Sequence, residues 1–155
     1  MNEAMKLAFG NPTLGRGTHN TRAWRAAEIP AANGQGNGRG LATIYGVLAA
    51  GGGELLSADG IAAATTVECE RLDEVLAFRM RWSRGFIVNN TSTRSGKGIY
   101  GPNVRSFGHS GAGGSFGFAD PDSGLGVGYV MNQMQQNLQG DPRSLALLDA
   151  VYDCL

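Results

Sequence analysis

Between Leu125 and Met131 the chain sets Leu, Val, Tyr and Met against Gly126, Gly128 and Val130, and Ser115 to Ala119 alternates small with aromatic side chains. This is the period of strands with two different faces. Asp120-Pro121-Asp122-Ser123-Gly124 separates the two runs, a turn cluster whose proline fixes φ and whose glycine accepts φ > 0. The pattern predicts an antiparallel hairpin, and with the stretch before it three consecutive antiparallel strands over Ser106 to Met131. Gly117, Gly126 and Gly128 weaken a strand unless another backbone or a helix needs the space of their missing side chains, so a helix is expected across that face. After the hairpin, Asp141-Pro142 supplies a cap and a first-turn proline, and Leu145, Leu148, Val151 or Tyr152, and Leu155 mark an amphipathic helix. That C-terminal helix is the expected cover for the glycine face.

Upstream, Leu41, Ile44, Tyr45 and Leu48 fall on one helical face, with Gly51-Gly52-Gly53 as the stop and Asn37 or a neighbour as the cap. This helix is expected elsewhere against the fold. Met1, Ala4, Met5 and Ala8 space a short helix ended by Asn11-Pro12. Gly15 to Asn20 is loop by composition, with His19 a solvated loop histidine, and Trp24 with Ile29-Pro30 anchors the next loop. Ser57 caps a helix to Thr65, and Glu68 to Glu74 is polar and turn-like. Val75 to Val88, where Phe78, Met80 and Trp82 alternate with Arg79, Arg81 and Ser83, is a strand or strand pair whose arginine face meets solvent or, on a sharper reading, an acidic substrate. Asn89 to Gly101 is a polar loop in which Asn89 and Asn90 each fit Asn-x-Ser/Thr, of consequence only in a secreted eukaryotic protein. The elements amount to an α/β chain of α+β type, an antiparallel sheet flanked by helices, without internal repeats or a separate domain.

Composition narrows the function classes. The chain has 155 residues, 42% of them apolar, with 13 basic and 13 acidic side chains, which leaves no electrostatic footprint for nucleic acid. No run reaches the roughly 18 apolar residues of a membrane span. Met1 to Lys6 lacks the basic-then-apolar order of a signal peptide, which favours the cytoplasm while the compartment stays open. Cys69 and Cys154 have no metal-ligand spacing and read as free thiols. Neither a metal nor a cofactor is implied. The alternating glycines from Gly34 to Gly40 contain no Gly-x-Gly-x-x-Gly, and no strand leads into them, so a dinucleotide site fails.

Chemistry concentrates in Phe107-Gly108-His109-Ser110-Gly111-Ala112-Gly113-Gly114, where an imidazole, a hydroxyl and bare backbone amides lie within a few residues. Such a segment orients a carbonyl or an anion, because its N–H groups need no reorganisation as charge develops; a tight structural connection is the alternative. Followed by Ser115 to Pro121, Gly124 to Val127 and Met131-Asn132, and preceded by Ala31 to Ala42 and Tyr45, this stretch resembles the third signature region of the serine β-lactamase and penicillin-binding superfamily. Within it, class C β-lactamases and β-lactamase-like esterases are most similar. Their Lys-Thr-Gly, or His-x-Gly in many esterases, stands here as His109-Ser110-Gly111.

The resemblance implies the C-terminal part of a β-lactamase/transpeptidase-like fold, with residues 1–155 as one partial domain. It further implies that His109 tunes proton transfers, Ser110 contacts the substrate, Gly111 lets it approach, and the Ala112 N–H is one oxyanion donor. The family nucleophile, in Ser-x-x-Lys, is absent, since no serine here is followed three positions on by lysine, and Tyr-x-Asn is absent too. Ser110 does not replace it, because neighbours on a strand point to opposite faces and His109 cannot reach its hydroxyl. Histidine in place of lysine inclines the reading towards an esterase, an imidazole being a weaker site for an antibiotic carboxylate at neutral pH. Three readings stand: part of a serine hydrolase acting on a small ester or amide through an acyl-enzyme and inactive by itself, a non-catalytic binding module, or an inert truncated fragment. The protein partner implied is the N-terminal part of the same fold or a second copy.

Overall fold

The computed structural model describes residues 2–10, 13, 15–92 and 94–155, so the expected helix stop at Asn11-Pro12 lies outside the described residues. They form two compact units, Met1–Gly36 with Leu72–Phe78, and Asn37–Arg71 with Arg79–Leu155.

The first unit holds α1 (Glu3–Phe9), capped by the Asn2 side chain, which accepts from the Met5 N–H at 2.7 Å. A 3₁₀ turn (Thr18–Asn20) lies in the Gly15 to Asn20 stretch expected to be loop, and a short helix α2 (Arg22–Ala26), not expected from the sequence, follows it, with the Thr21 side chain accepting from the Trp24 N–H as its cap. Trp24 anchors the segment after it through its backbone: its carbonyl accepts from Asn33 Nδ2 at 2.8 Å.

In the second unit, α3 (Gly38–Ala49) starts where Asn37 Oδ1 accepts from the Gly40 N–H at 2.8 Å, and α4 (Ala58–Thr65) where Ser57 Oγ accepts from the Gly60 N–H at 3.0 Å. Both caps are the expected ones. Among the described residues six strands make one sheet in chain order: β1 (Cys69–Leu72), β2 (Arg79–Trp82), β3 (Ile87–Val88), β4 (Phe107–Ser110), β5 (Phe116–Asp120) and β6 (Leu125–Tyr129). Each strand from β2 to β6 runs antiparallel to the next. The strand pair expected within Val75 to Val88 is therefore present, and so are the three strands of Ser106 to Met131. The segment expected to be turn-like at Glu68 to Glu74 contains β1 instead. Its Glu70 meets Arg79 at 3.6 Å and Arg81 at 3.4 Å, so charges that look like a loop when read alone are one side of a cross-strand pairing.

The register divides the sheet into two faces. Phe107 pairs with Ala119, His109 with Gly117, Ala119 with Gly126 and Gly117 with Gly128, so these side chains share a face; Ser110, Phe116, Phe118, Val127 and Tyr129 share the other. The helix across the glycine face is α3, a correction to the expectation that the C-terminal helix covers it. A Cβ on Gly126 would lie 2.0 Å from the Gly46 N, and one on Gly128 2.4 Å from the Gly38 carbonyl oxygen. Glycine here thus faces glycine across the helix–sheet boundary. Only such bare backbones approach this closely, and the pattern on the strands cannot say which helix supplies the other half. Beyond the glycines, Leu48 and Ala49 of α3 enter a core with Val88, Phe107 and Ala119, flanked by Tyr45, Ile61, Val67 and Phe86.

The C-terminal helix α5 (Pro142–Tyr152), with the expected Asp141 cap accepting from the Arg143 N–H at 2.9 Å, takes the opposite face. Leu148, only 2% exposed, lines a small cavity with Phe116, Val127 and Tyr129. Tyr100 and Phe118 stack at 5.3 Å, and Phe116 stands 5.7 Å from Phe118. Tyr152 donates its hydroxyl to the buried Asp120 carboxylate, which also accepts from Asn103 Nδ2 at 2.8 Å.

The loop after β3 is less polar in function than its sequence. Asn89 is fully buried, with Nδ2 donating to the Gly101 and Asn103 carbonyls at 2.8 and 3.0 Å and Oδ1 accepting from the Tyr100 N–H at 3.2 Å. A side chain so enclosed is closed to glycosylation in the folded chain, whatever its Asn-x-Thr context.

Candidate functional site

β4 carries His109 and Ser110 to one end of the sheet, and the chain turns sharply through Gly111 and Ala112 just beyond it. The Gly111 N–H donates to the Ser115 carbonyl at 2.7 Å and the Gly114 N–H to the Gly111 carbonyl at 3.2 Å, closing the turn. Gly113 and Gly114 hold φ of 97° and 111°, a backbone region closed to ordinary side chains. The turn is stapled to the loop before α5, since the Gly113 N–H donates to the Asn137 carbonyl at 2.9 Å and the Gly113 carbonyl accepts from the Gln135 N–H at 3.0 Å. A backbone fixed at this many points holds its remaining amides in one direction.

His109 is exposed, on the face that α3 covers. Its Nδ1 lies 2.8 Å from the Ser110 carbonyl oxygen, and its ring stands 5.9 Å from that of Trp82. The Tyr45 phenol, carried by α3, is pushed up in pKa by burial, which the hydrogen bond to the His109 backbone partly offsets. Ser110, half-buried on the other face, has Oγ 3.3 Å from Tyr100 Oη. Burial pushes the Tyr100 phenol well above its ordinary pKa, with the Ser110 hydrogen bond acting the other way. Gly111 presents backbone only, and a Cβ there would stand 2.5 Å from Ser115 Oγ. Ala112 is exposed, and the hydrogen bonds that close and staple the turn use the N–H groups of Gly111, Gly113 and Gly114 rather than its own.

The arrangement is thus split. His109 and Ser110, adjacent in sequence, face opposite sides of the sheet, so the imidazole cannot take a proton from that hydroxyl. The neighbour that Ser110 does have, a neutral tyrosine, is no base. What the end of β4 offers is an exposed imidazole beside a turn fixed by hydrogen bonds that do not use the Ala112 N–H. Among the described residues no cluster of His, Cys, Asp and Glu could hold a metal ion, and no helix is long and apolar enough to cross a membrane.

Three residues of this neighbourhood have contacts that a reading of the sequence misses. Tyr45 reads as part of an apolar helix face, although a tyrosine there must find a partner for its hydroxyl, and that is the one signal available. Tyr100 sits in a stretch that reads as loop. Trp82 reads only as one position in a strand that alternates with arginines, and nothing in that pattern says that its ring stands 5.9 Å from that of His109.

Residues 5–151 match the family model for beta-lactamase. Over 113 residues the chain is 34% identical to the esterase/beta-lactamase LipL of Mycobacterium tuberculosis, a match that spans 70% of this chain and 24% of that one. Among solved structures, a family VIII carboxylesterase superposes with a TM-score of 0.89 at 55% identity, covering 100% of this chain and 42% of the other. A penicillin-binding protein homolog from Caulobacter crescentus gives 0.85 at 39% identity, covering 100% and 41%. EstA from Arthrobacter nitroguajacolicus Rue61a gives 0.72 at 29%, covering 86% and 36%. The chain therefore spans less than half the length of each of these relatives. The signature stretch around His109, the antiparallel sheet with helices on both faces and the match over residues 5–151 agree: this chain belongs to the beta-lactamase family of serine β-lactamases, penicillin-binding proteins and related esterases.

Proposed function

We propose that this chain is the C-terminal part of a β-lactamase-like domain whose activity is hydrolysis of a small ester through an acyl-enzyme, with the nucleophile supplied by a segment that precedes these residues in the fold. The observation that carries this reading is the end of β4, where His109 is exposed and the turn's closing hydrogen bonds leave the Ala112 N–H aside, in a chain with no Ser-x-x-Lys. In this reading His109 adjusts proton transfers at the reacting oxygen, the Ala112 N–H donates to the developing oxyanion, and Gly111 lets the substrate lie along the strand. The role of Ser110 is narrower than direct contact with a substrate on the His109 side: its hydroxyl is directed to Tyr100, and it fixes the strand between two faces. Ester is preferred to lactam because an imidazole attracts an antibiotic carboxylate less than a lysine ammonium does, and the family VIII carboxylesterase likeness supports the same preference.

The test is an assay of the purified chain with a short-chain p-nitrophenyl ester and a fluorophosphonate probe, alone and after mixing with a segment carrying Ser-x-x-Lys. The expected result is no turnover and no labelling alone, with both appearing on mixing. Stoichiometric labelling of Ser110 in the chain alone would overturn the reading. In the assembled enzyme Gly111→Val is expected to abolish turnover with the fold intact: its one close contact, to Ser115 Oγ, is with the end of a flexible side chain, while the Ser115 carbonyl oxygen and Cβ stand at ordinary distances of 3.6 and 3.8 Å.

A further inference from the structure

A cavity of about 540 Å³ opens in the second unit between α4 and the strands β2 to β4. It shares no lining residue with the turn at residues 109–112, and Phe107, which it touches, is at the opposite end of β4 from Ser110. Its volume is that of a small-molecule site. One wall is apolar, formed by Ile61 and Ala62 of α4 with Val88 and Phe107 of the sheet; the other carries Arg81 and Arg105.

The guanidinium of Arg81 is the unusual feature. Its side chain is 20% exposed, Nη1 donates to the Asn89 carbonyl, and Nε is buried with no hydrogen-bond partner, the Glu70 carboxylate oxygen at 3.4 Å being a charge neighbour without bonding geometry. A buried donor left unmet is costly, more so on a charged group. Nor is the charge balanced locally. Among the described residues Arg79 and Arg81 share Glu70, so two guanidinium groups face one carboxylate there, whereas Arg105 is matched by Asp122 with Asp120 nearby. An open, largely apolar pocket with the incompletely matched Arg81 in its wall fits one class of ligand, an anion on a hydrocarbon body.

We propose that this cavity binds a medium-chain monocarboxylate, its carboxylate at Arg81 and its tail along Ile61, Ala62 and Phe107. A carboxylate there accepts from the guanidinium, and the tail removes apolar wall from water. The site is independent of the proposed hydrolytic reading and stands or falls without it.

The experiment is calorimetric titration of the full chain with octanoate, 1-octanol and acetate, combined with isotope-edited NMR contacts from octanoate to the Ile61 methyl groups. Saturable one-to-one binding of octanoate is expected, with contacts to Ile61, and with both octanol and acetate weaker by roughly tenfold or more. Arg81→Met should weaken octanoate by a similar factor and leave octanol unchanged, and Ala62→Trp should abolish octanoate binding by covering the tail's wall of the pocket. Thermal unfolding of each variant separates loss of binding from loss of fold, and the NMR contacts need no variant at all. Octanol binding as tightly as octanoate, octanoate that saturates without touching Ile61, or no saturable binding would each overturn the proposal.

Discussion

The two faces of the β4–β6 sheet mount their helices in opposite ways. On one, α3 rests on Gly117, Gly126 and Gly128 with almost nothing between backbones, and Gly46 stands where a Cβ on Gly126 would be 2.0 Å away. On the other, α5 stands off on a layer of aromatic rings, Phe116, Phe118 and Tyr100, with Asp120 and Tyr152 bonded through it. A backbone-to-backbone contact has no slack, because there is no rotamer to turn, whereas a side-chain layer relaxes around a change. The site follows the same division. His109 belongs to the close-packed face, and Ser110 to the aromatic one.

The sharpest way to break the comparison is Gly126→Val, which sets a branched side chain into the α3 backbone. It is expected to cost more than about 4 kcal/mol or to prevent folding, read by urea unfolding followed by circular dichroism. Leu148→Ala on the other face should leave a folded chain destabilised by about 2–5 kcal/mol in the same measurement, since the ring layer partly collapses into the space. If Gly126→Val proves the milder of the two, the contrast between rigid and relaxing faces is wrong.

Tyr152→Phe sharpens the polar part of the aromatic face and is expected to cost roughly 1–3 kcal/mol at neutral pH. Burial raises the Asp120 carboxyl, but the hydrogen bonds from Tyr152, Asn103 and Ser123 outweigh it and hold the group below the usual carboxylate range. A carboxyl depressed by folding contributes stability above its unfolded pKa and loses it as pH falls through the folded one. Removing the Tyr152 donor raises the folded value, so acid unfolding of the variant should begin at a higher pH than in the wild type, as an acid titration of ellipticity would show. The smallest effect is expected at Gly46→Ala. This glycine's backbone is the contact and the direction of its own Cβ is open, so alanine should stabilise by about 0.5–1 kcal/mol through helix propensity. A loss of stability there would mean that the helix tilts on the sheet.

Local chemistry was legible where it is self-contained. The Asn37, Ser57 and Asp141 caps and the Asp120 to Gly124 turn satisfy their own backbone groups, and each stands where its residue type demands. The divergence of His109 and Ser110 was legible as well, because alternation along a strand is geometry that no tertiary contact revises. β1 and α2 were not legible. Glu68 and Glu70 look like loop until Arg84, Arg79 and Arg81 stand opposite them, and α2 is five residues long, too short for any periodicity to show.

The sequence by itself determined that three glycines on a hairpin required a close-packed helix, that the chain held a family's site motif without its nucleophile, and which residues of that motif faced apart. Tertiary structure alone decided which helix took the glycine face, that Tyr45 and Tyr100 stood behind His109 and Ser110, and that an arginine was left with a buried, unmet donor. The reason is reach. A strand's pattern records the shape that its partner must have, but not the partner's identity, because any helix with a bare enough stripe fits and only the connections of the whole chain bring one of them there.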